Sequence, residues 1–194
     1  MTESPATRTL LFRTLDQTGR VVSGVAAHQL PAPTPCSEYD VRALLGHIVA
    51  VLRRVTHVAS GGDPFDIPQV ITDVADDEWP ELYQQARQQL DAAWTDADVL
   101  DRMLTLPFGT MPGRAAAAAY TVEVTTHGWD LAEATGQTEA LDLEVGAAAL
   151  GMAQQFIPAQ PRGGPVPFAA PAGVPADAGV YEQLAAWMGR QPRR

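Results

Sequence analysis

Glu123 and His127 are the pair of residues whose types and spacing point most directly to chemistry, because they lie one helical turn apart. The residues around them are apolar on both sides of the predicted helix, which indicates that this helix is buried. An unpaired buried carboxylate costs several kcal/mol or changes its protonation state, and a bound cation would remove that cost. A hydrogen-bonded carboxylate–imidazole pair without metal would satisfy the same residues, so the spacing alone leaves both interpretations open.

The phase of each histidine within its predicted helix separates the four histidines of the chain. His47 falls on the apolar stripe of the second predicted helix and is therefore expected to point into the core. His57 falls on a polar face of the same helix. His28 lies near the end of the first predicted helix, where a capping role is expected. His47 is therefore the histidine that we expect to approach the Glu123–His127 pair.

A metal bound by His47, Glu123 and His127 would have two imidazoles and one carboxylate as its ligands. Catalytic zinc sites use three protein ligands and leave a fourth position open for water or substrate. Zinc is the expected ion for this set, and nickel, cobalt or iron could occupy it. Two alternatives stay open: a structural metal that links two helices without catalysis, and a metal-free buried polar network.

Apolar periodicity and its interruptions predict the elements that must position these residues. The first helix is expected over residues 5–30, and the second begins at Val41 with Asp40 as its N-cap and ends before Ser60. A third helix opens at Asp76 or Asp77, with Pro80 tolerated in its first turn. After a short strand from Met103 to Leu106, a fourth helix runs from Arg114 to Thr135 and stops at Gly136.

After Gly136 the composition of the sequence changes and proline becomes frequent. We expect a fifth helix from Asp142 to Phe156, a proline-rich strap over residues 158–175, and a short last helix over residues 177–188. The predicted fold class is all-α: an up-and-down four-helix bundle with this strap and short terminal helices. The bundle should occupy residues 1–136, and residues 137–194 should pack on it.

Charge and composition exclude several classes of function. The net charge of −10 and the pI of about 4.7 disfavour a nucleic-acid partner. No apolar run reaches membrane-spanning length, and the N-terminus lacks the features of a signal peptide, so we expect a cytoplasmic protein, monomeric or homodimeric. All 13 basic residues are arginine, and the absence of lysine excludes Schiff-base chemistry. Cys36 is the single cysteine, so an internal disulfide is impossible.

Two segments that carry the candidate ligands resemble a known family. TPCSEYDVRALLGHIV is similar to the second-helix signature of the DinB-like superfamily, and EVTTHGWDLAEATGQ is similar to the E-x-x-x-H-G-W-D-L-A segment of its mycothiol-dependent maleylpyruvate isomerase group. LPFGTMPG resembles the loop that precedes that segment. The ending GRQP resembles the G-R-x-P terminus of one actinobacterial subfamily.

The resemblance implies a DinB-like four-helix bundle with a divalent metal, commonly zinc, at the open end of its core. It implies His47, Glu123 and His127 as the ligands, Trp129 as a packing residue, and mycothiol as the expected thiol. Asp130 matches the motif as well, either as an acceptor that orients His127 or as an ordinary residue that is exposed or makes a local hydrogen bond.

The function that the resemblance implies is a metal-dependent enzyme that transfers a low-molecular-weight thiol to an electrophilic small molecule, or an isomerase-like variant of this reaction. If the metal activated water instead, the protein would be a hydrolase. The segment after Gly136 is short and rich in proline, whereas the isomerase carries a sizeable C-terminal α/β domain, so the isomerase's own substrate is not implied.

Three further residues are weaker candidates for a role at the site. Arg114 and Arg162 could grip the carboxylate of a thiol cofactor, although surface arginines are more often engaged in salt bridges. Cys36 precedes the second helix and could be a reactive thiol if the helix N-terminus lowers its pKa. A lone cysteine is more often a small, partly buried apolar residue.

Overall fold

The computed structural model describes residues 4–163 and 168–191. Its helices are α1 (Ser4–Ser23), α2 (Val41–Ala59), α3 (Trp79–Thr95), α4 (Gly113–Thr135), α5 (Leu143–Phe156) and α6 (Val180–Trp187). A short antiparallel hairpin lies between α3 and α4, with strands β1 (Met103–Leu106) and β2 (Gly109–Pro112). The fold is therefore the predicted all-α helical bundle.

The bundle is formed by α1, α2, α3 and α4. Helices α1 and α2 each pack against both α3 and α4, so consecutive helices α1 and α2 face each other across the core. The core is made of large apolar side chains that are almost completely buried, including Leu11, Leu15, Leu44, Ile48, Leu52, Leu90, Trp94 and Leu131. Each such side chain contributes about 2 kcal/mol through the apolar surface it removes from water.

Helix α4 is buried on both of its sides, as its sequence predicts. Helices α1 and α2 cover one side, and α5 and α6 cover the other. Beneath α5 and α6 lies a second, smaller apolar cluster of Val122, Ala149, Ala153, Leu184 and Met188. A helix between two apolar layers needs no polar face, which explains why its apolar residues follow no single stripe.

Several predicted boundaries are confirmed together with their physical reasons. The Asp40 side chain accepts a hydrogen bond from the Ala43 amide at 2.8 Å, so it caps α2 as expected. Pro80 lies in the first turn of α3, where its missing N–H costs nothing. Gly136 has a φ of 73° and ends α4 in the left-handed conformation.

Other predicted boundaries were wrong. The first helix ends at Ser23 and not near Leu30, and residues 27–29 form a separate 3₁₀ turn that contains His28. The prolines that follow His28 suggested the later boundary, but Gly24 already ends the helix. Strand β2 was not predicted, because it begins with Gly109 and ends with Pro112, and both residue types are disfavoured in strands. The third and last helices begin two or three residues later than predicted, at Trp79 and at Val180.

The proline-rich strap has no helix in its described residues, which fits its composition; part of it, residues 164–167, lies outside the described residues. Its Ala172 amide donates to the Ala186 carbonyl at 2.9 Å, which ties the strap to α6. The division into a bundle over residues 1–136 and a C-terminal segment over residues 137–194 stays a prediction. None of the described helices combines the length and apolar character needed to cross a bilayer.

We expect Gly46→Ala to destabilise the protein by about 1–3 kcal/mol. Gly46 lies in α2 against the loop that follows this helix, and a methyl group there would clash with the Ile71 carbonyl oxygen. Gly151→Ala in α5 is the matched control, because nothing lies within 4 Å of the added methyl group, and it should stabilise the protein by about 0.5–1 kcal/mol. Urea denaturation measures both changes, and equal effects would contradict the proposed close contact.

Candidate metal centre

The structure brings together the three residues that were predicted as ligands. His47 reaches in from α2, and Glu123 and His127 lie one turn apart on α4. The Oε1 atom of Glu123 lies 3.4 Å from the Nε2 atom of His47 and 3.6 Å from the Nε2 atom of His127. The three candidate ligand atoms all lie within 4.8 Å of one another.

These separations suit donors that share an ion better than they suit hydrogen bonds. A charge-assisted N–H···O hydrogen bond between a histidine and a carboxylate is about 2.7–2.9 Å long. Donor atoms bound to tetrahedral zinc at about 2.0–2.1 Å lie about 3.4 Å from each other. The donor set of His47, Glu123 and His127 therefore fits a divalent metal such as zinc.

Each imidazole is oriented by an acceptor at its other ring nitrogen. The Nδ1 atom of His47 lies 2.9 Å from the backbone carbonyl oxygen of Gln69. The Nδ1 atom of His127 lies 3.1 Å from the Oδ2 atom of Asp130. When Nδ1–H donates to these acceptors, Nε2 is free to offer its lone pair toward Glu123, the arrangement found around histidines that ligate metals.

The acceptor for His47 is held by the loop between α2 and α3. Arg54 of α2 donates to three backbone carbonyls of this loop, those of Pro64, Ile67 and Pro68, at 3.1, 3.2 and 2.9 Å. The Ile71 amide donates to the Gly46 carbonyl at 3.1 Å. These hydrogen bonds on both sides of Gln69 fix the position of its carbonyl beside His47.

Tyr39 covers one side of the histidine pair. Its ring stacks on that of His47, with centroids 4.9 Å apart and planes inclined by 25°. Both histidines are buried, but the Glu123 side chain keeps 33% of its surface exposed. The apolar composition of α4 predicted a fully buried carboxylate at position 123, which differs from this partial exposure. Composition reflects the average surroundings of a helix and cannot reveal an opening at one residue. One side of the cluster is therefore accessible.

The protonation of the cluster is set by opposing effects. Burial acts to raise the pKa of Glu123, but its interactions with His127 and His47 outweigh this effect and hold the pKa well below its ordinary value. Burial acts to lower the pKa of His127, yet its hydrogen bonds with Asp130 and Glu123 raise the pKa to about 9. Without a metal, the cluster therefore holds a proton on His127 at neutral pH.

Asp130 is completely buried and faces His127, so the alternative of an exposed polar residue was wrong. Its second partner is Arg190, which follows α6 and donates to both carboxylate oxygens. Burial acts to raise the pKa of Asp130, but the hydrogen bond with His127 and the charge of Arg190 lower it. Arg190 belongs to the GRQP ending, and no pattern in the sequence indicated a role for this arginine at the site.

The remaining candidates have contacts of their own. Arg114 is exposed and pairs with Asp101, and Arg162 lies over the ring of Trp187, 5.6 Å from its centroid. Cys36 is half-buried, and its Sγ atom lies within 4.8 Å of donor atoms on His127 and Asp130. Burial raises the pKa of Cys36, partly offset by the charge of Arg190, which disfavours the thiolate form.

Known proteins resemble this chain in sequence and in fold. The family model described as "Mycothiol maleylpyruvate isomerase N-terminal domain" matches residues 11–132. Two uncharacterized proteins, from two strains of Mycobacterium tuberculosis, are each 32% identical over 181 residues, which is 93% of this chain and 96% of theirs. The crystal structure of the mycothiol-dependent maleylpyruvate isomerase superposes with a TM-score of 0.56 at 18% identity, covering 79% of this chain and 71% of that one. A histidine-to-alanine mutant of the isomerase superposes with a TM-score of 0.53 at 16% identity. These superpositions show a shared fold.

We expect the metal-free protein to lose stability as the pH rises from about 6.5 to about 9. The folded-state pKa of His127 is raised to about 9, so protonated His127 stabilises the folded protein. This stabilisation is fully present below the pKa of the unfolded state and is lost as the pH passes through the pKa of the folded state. Denaturation of chelator-treated protein across this pH range measures the effect. Glu123→Gln removes one of the groups that raise this pKa and should flatten the dependence, and an unchanged slope in this variant would contradict the assignment.

Proposed function

The chain belongs to the mycothiol maleylpyruvate isomerase N-terminal domain family, and we propose that it is a metal- and thiol-dependent enzyme. His47, Glu123 and His127 would hold a divalent metal, with zinc as the expected ion. The observation that carries the proposal is the convergence of both Nε2 atoms on one carboxylate oxygen, at 3.4 and 3.6 Å, on a cluster with one open side. The family supports mycothiol as the thiol and an electrophilic small molecule as its acceptor.

The protein's own residues would prepare the site for this chemistry. Gln69 and Asp130 hold the two imidazoles with their Nε2 atoms toward Glu123. A metal bound there would stabilise a thiol as its thiolate near neutral pH. Tyr39 stacks on His47 and excludes water from that side, so substrates would approach past the exposed part of the Glu123 side chain.

The open side favours an enzyme over a metal that only staples α2 to α4. A structural metal is enclosed by protein ligands, whereas a catalytic metal keeps one position for water or substrate. Among the described residues, Cys36 lies near His127 and Asp130, but the Nδ1 atom of His127 that faces them is already engaged. The ligands would then be His47, Glu123 and His127, and the exposed part of the Glu123 side chain marks the direction from which water or substrate would reach the metal.

Protein purified without a nickel column should contain about one divalent metal ion per chain, measured by elemental analysis. His47→Ala should remove most of this metal because it deletes one of three ligands. His28→Ala is the matched control, because His28 is exposed and lies outside the cluster, and it should retain the metal. An equal, near-zero metal content in all three proteins would remove the site.

Conjugation of a thiol to electrophiles should require both the metal and the thiol. We expect Glu123→Gln to lower the rate by at least about 100-fold, since even the loss of an outer partner of a metal ligand costs 10–100-fold. His28→Ala should keep the wild-type rate. The measurement is loss of electrophile with mycothiol or another low-molecular-weight thiol present or absent. Metal binding without any thiol dependence across varied electrophiles would favour a non-catalytic metal-binding bundle.

A further inference from the structure

Resting on the proposed metal centre, we propose that Arg190 is a positioning residue of this centre and acts on His127 through Asp130. The arginine lies 60 positions beyond Asp130 in the sequence and follows the last helix. The proposal makes the turn after α6 a functional part of a site whose ligands all come from α2 and α4.

The contacts form a continuous chain from Arg190 to the imidazole. The Nη2 atom of Arg190 donates to Oδ2 of Asp130 at 2.9 Å, and its Nε atom donates to Oδ1 at 3.3 Å. Oδ2 also faces Nδ1 of His127 at 3.1 Å. A two-point contact between a planar guanidinium and a carboxylate fixes the carboxylate plane, which a single contact does not.

Charge balance explains why the arginine is needed. Asp130 has no exposed surface, and a buried carboxylate without a compensating charge is costly. A metal-ligating histidine is neutral, so His127 would supply a hydrogen bond to Asp130 but no positive charge. Arg190 would then place a compensating positive charge directly beside Asp130, the acceptor that orients the ring.

The backbone turn after α6 positions the Arg190 side chain beside Asp130. Gly189 has a φ of 81°, which turns the chain back after α6, and the Arg190 amide donates to the Ala185 carbonyl at 2.9 Å. A methyl group at Gly189 would lie 2.9 Å from the Ala169 carbonyl oxygen, so strap and turn fit closely. The Nη1 atom of Arg190 donates to the Met188 carbonyl at 3.2 Å, which holds the guanidinium toward the bundle.

The first test compares zinc affinities measured by competition with a chelator. We expect Arg190→Leu to weaken zinc binding by about 10-fold, the lower end of the effect of losing an outer partner. Arg190→Lys keeps the charge but not the two-point contact and should give a smaller loss. Arg162→Leu is the matched control, because Arg162 also contacts the end of α6, through the Trp187 carbonyl at 3.0 Å, and should leave the affinity unchanged.

The second test separates positioning from general packing. If Arg190 acts through Asp130, then Arg190→Leu should have little further effect on zinc affinity in an Asp130→Asn background. In zinc-loaded wild-type protein the Nδ1 proton of His127 should give a protected, downfield NMR signal. This signal should move or broaden in Arg190→Leu and partly recover in Arg190→Lys.

The outcomes distinguish this inference from the proposed function. A wild-type protein without zinc affinity would overturn both. Normal zinc affinity and an unchanged His127 signal in Arg190→Leu would overturn the positioning role alone. Additive losses in the double variant, or an equal loss in Arg162→Leu, would also overturn it, because they would indicate a general effect on the packing of the C-terminal turn. If Arg190→Leu fails to fold, the graded loss expected for Arg190→Lys decides the question.

Discussion

The arrangement of the site depends on the two hydrogen bonds made by Nδ1 of His47 and Nδ1 of His127. Each fixes a ring so that both Nε2 atoms face one oxygen of Glu123. The lone pairs on these two nitrogens and the negative oxygen of Glu123 repel one another unless a positive charge lies between them. In the metal-free cluster a proton on His127 supplies that charge, and a divalent cation would supply it more completely. A positive charge at this position is therefore favoured, and the proposed metal would provide it.

The rest of the fold serves to hold those two hydrogen bonds in place. The loop after α2, pinned by Arg54, holds the acceptor for His47. The layer of α5 and α6 covers the outer side of α4 and leads into the turn that carries Arg190. Asp130 therefore has partners from α4 and from the C-terminal turn. Residues far apart in the sequence meet at a cluster whose candidate ligands come from α2 and α4.

The sequence predicted what depends on periodicity and side-chain type. The phase of His47 on α2 correctly predicted that it approaches the Glu123–His127 pair, and the apolar surroundings of α4 identified this helix as buried. The role of the three residues as metal ligands came from the family resemblance and stays a prediction. The partner of His47 could not be predicted, because a backbone carbonyl such as that of Gln69 has no sequence signature. Arg190 was missed because its contact with Asp130 depends on how the last helix packs. The early end of α1 at Gly24 was masked by the stronger signal of the prolines that follow.

The two orienting acceptors differ in their tolerance to genetic change. Every residue type has a carbonyl, so position 69 could vary widely while the ring of His47 kept its partner, provided the loop path was preserved. The acceptor of His127 is a side chain, and it can be lost in a single codon substitution at position 130. The orientation of His47 thus depends on the path of a loop, whereas that of His127 depends on the identity of the residue at position 130.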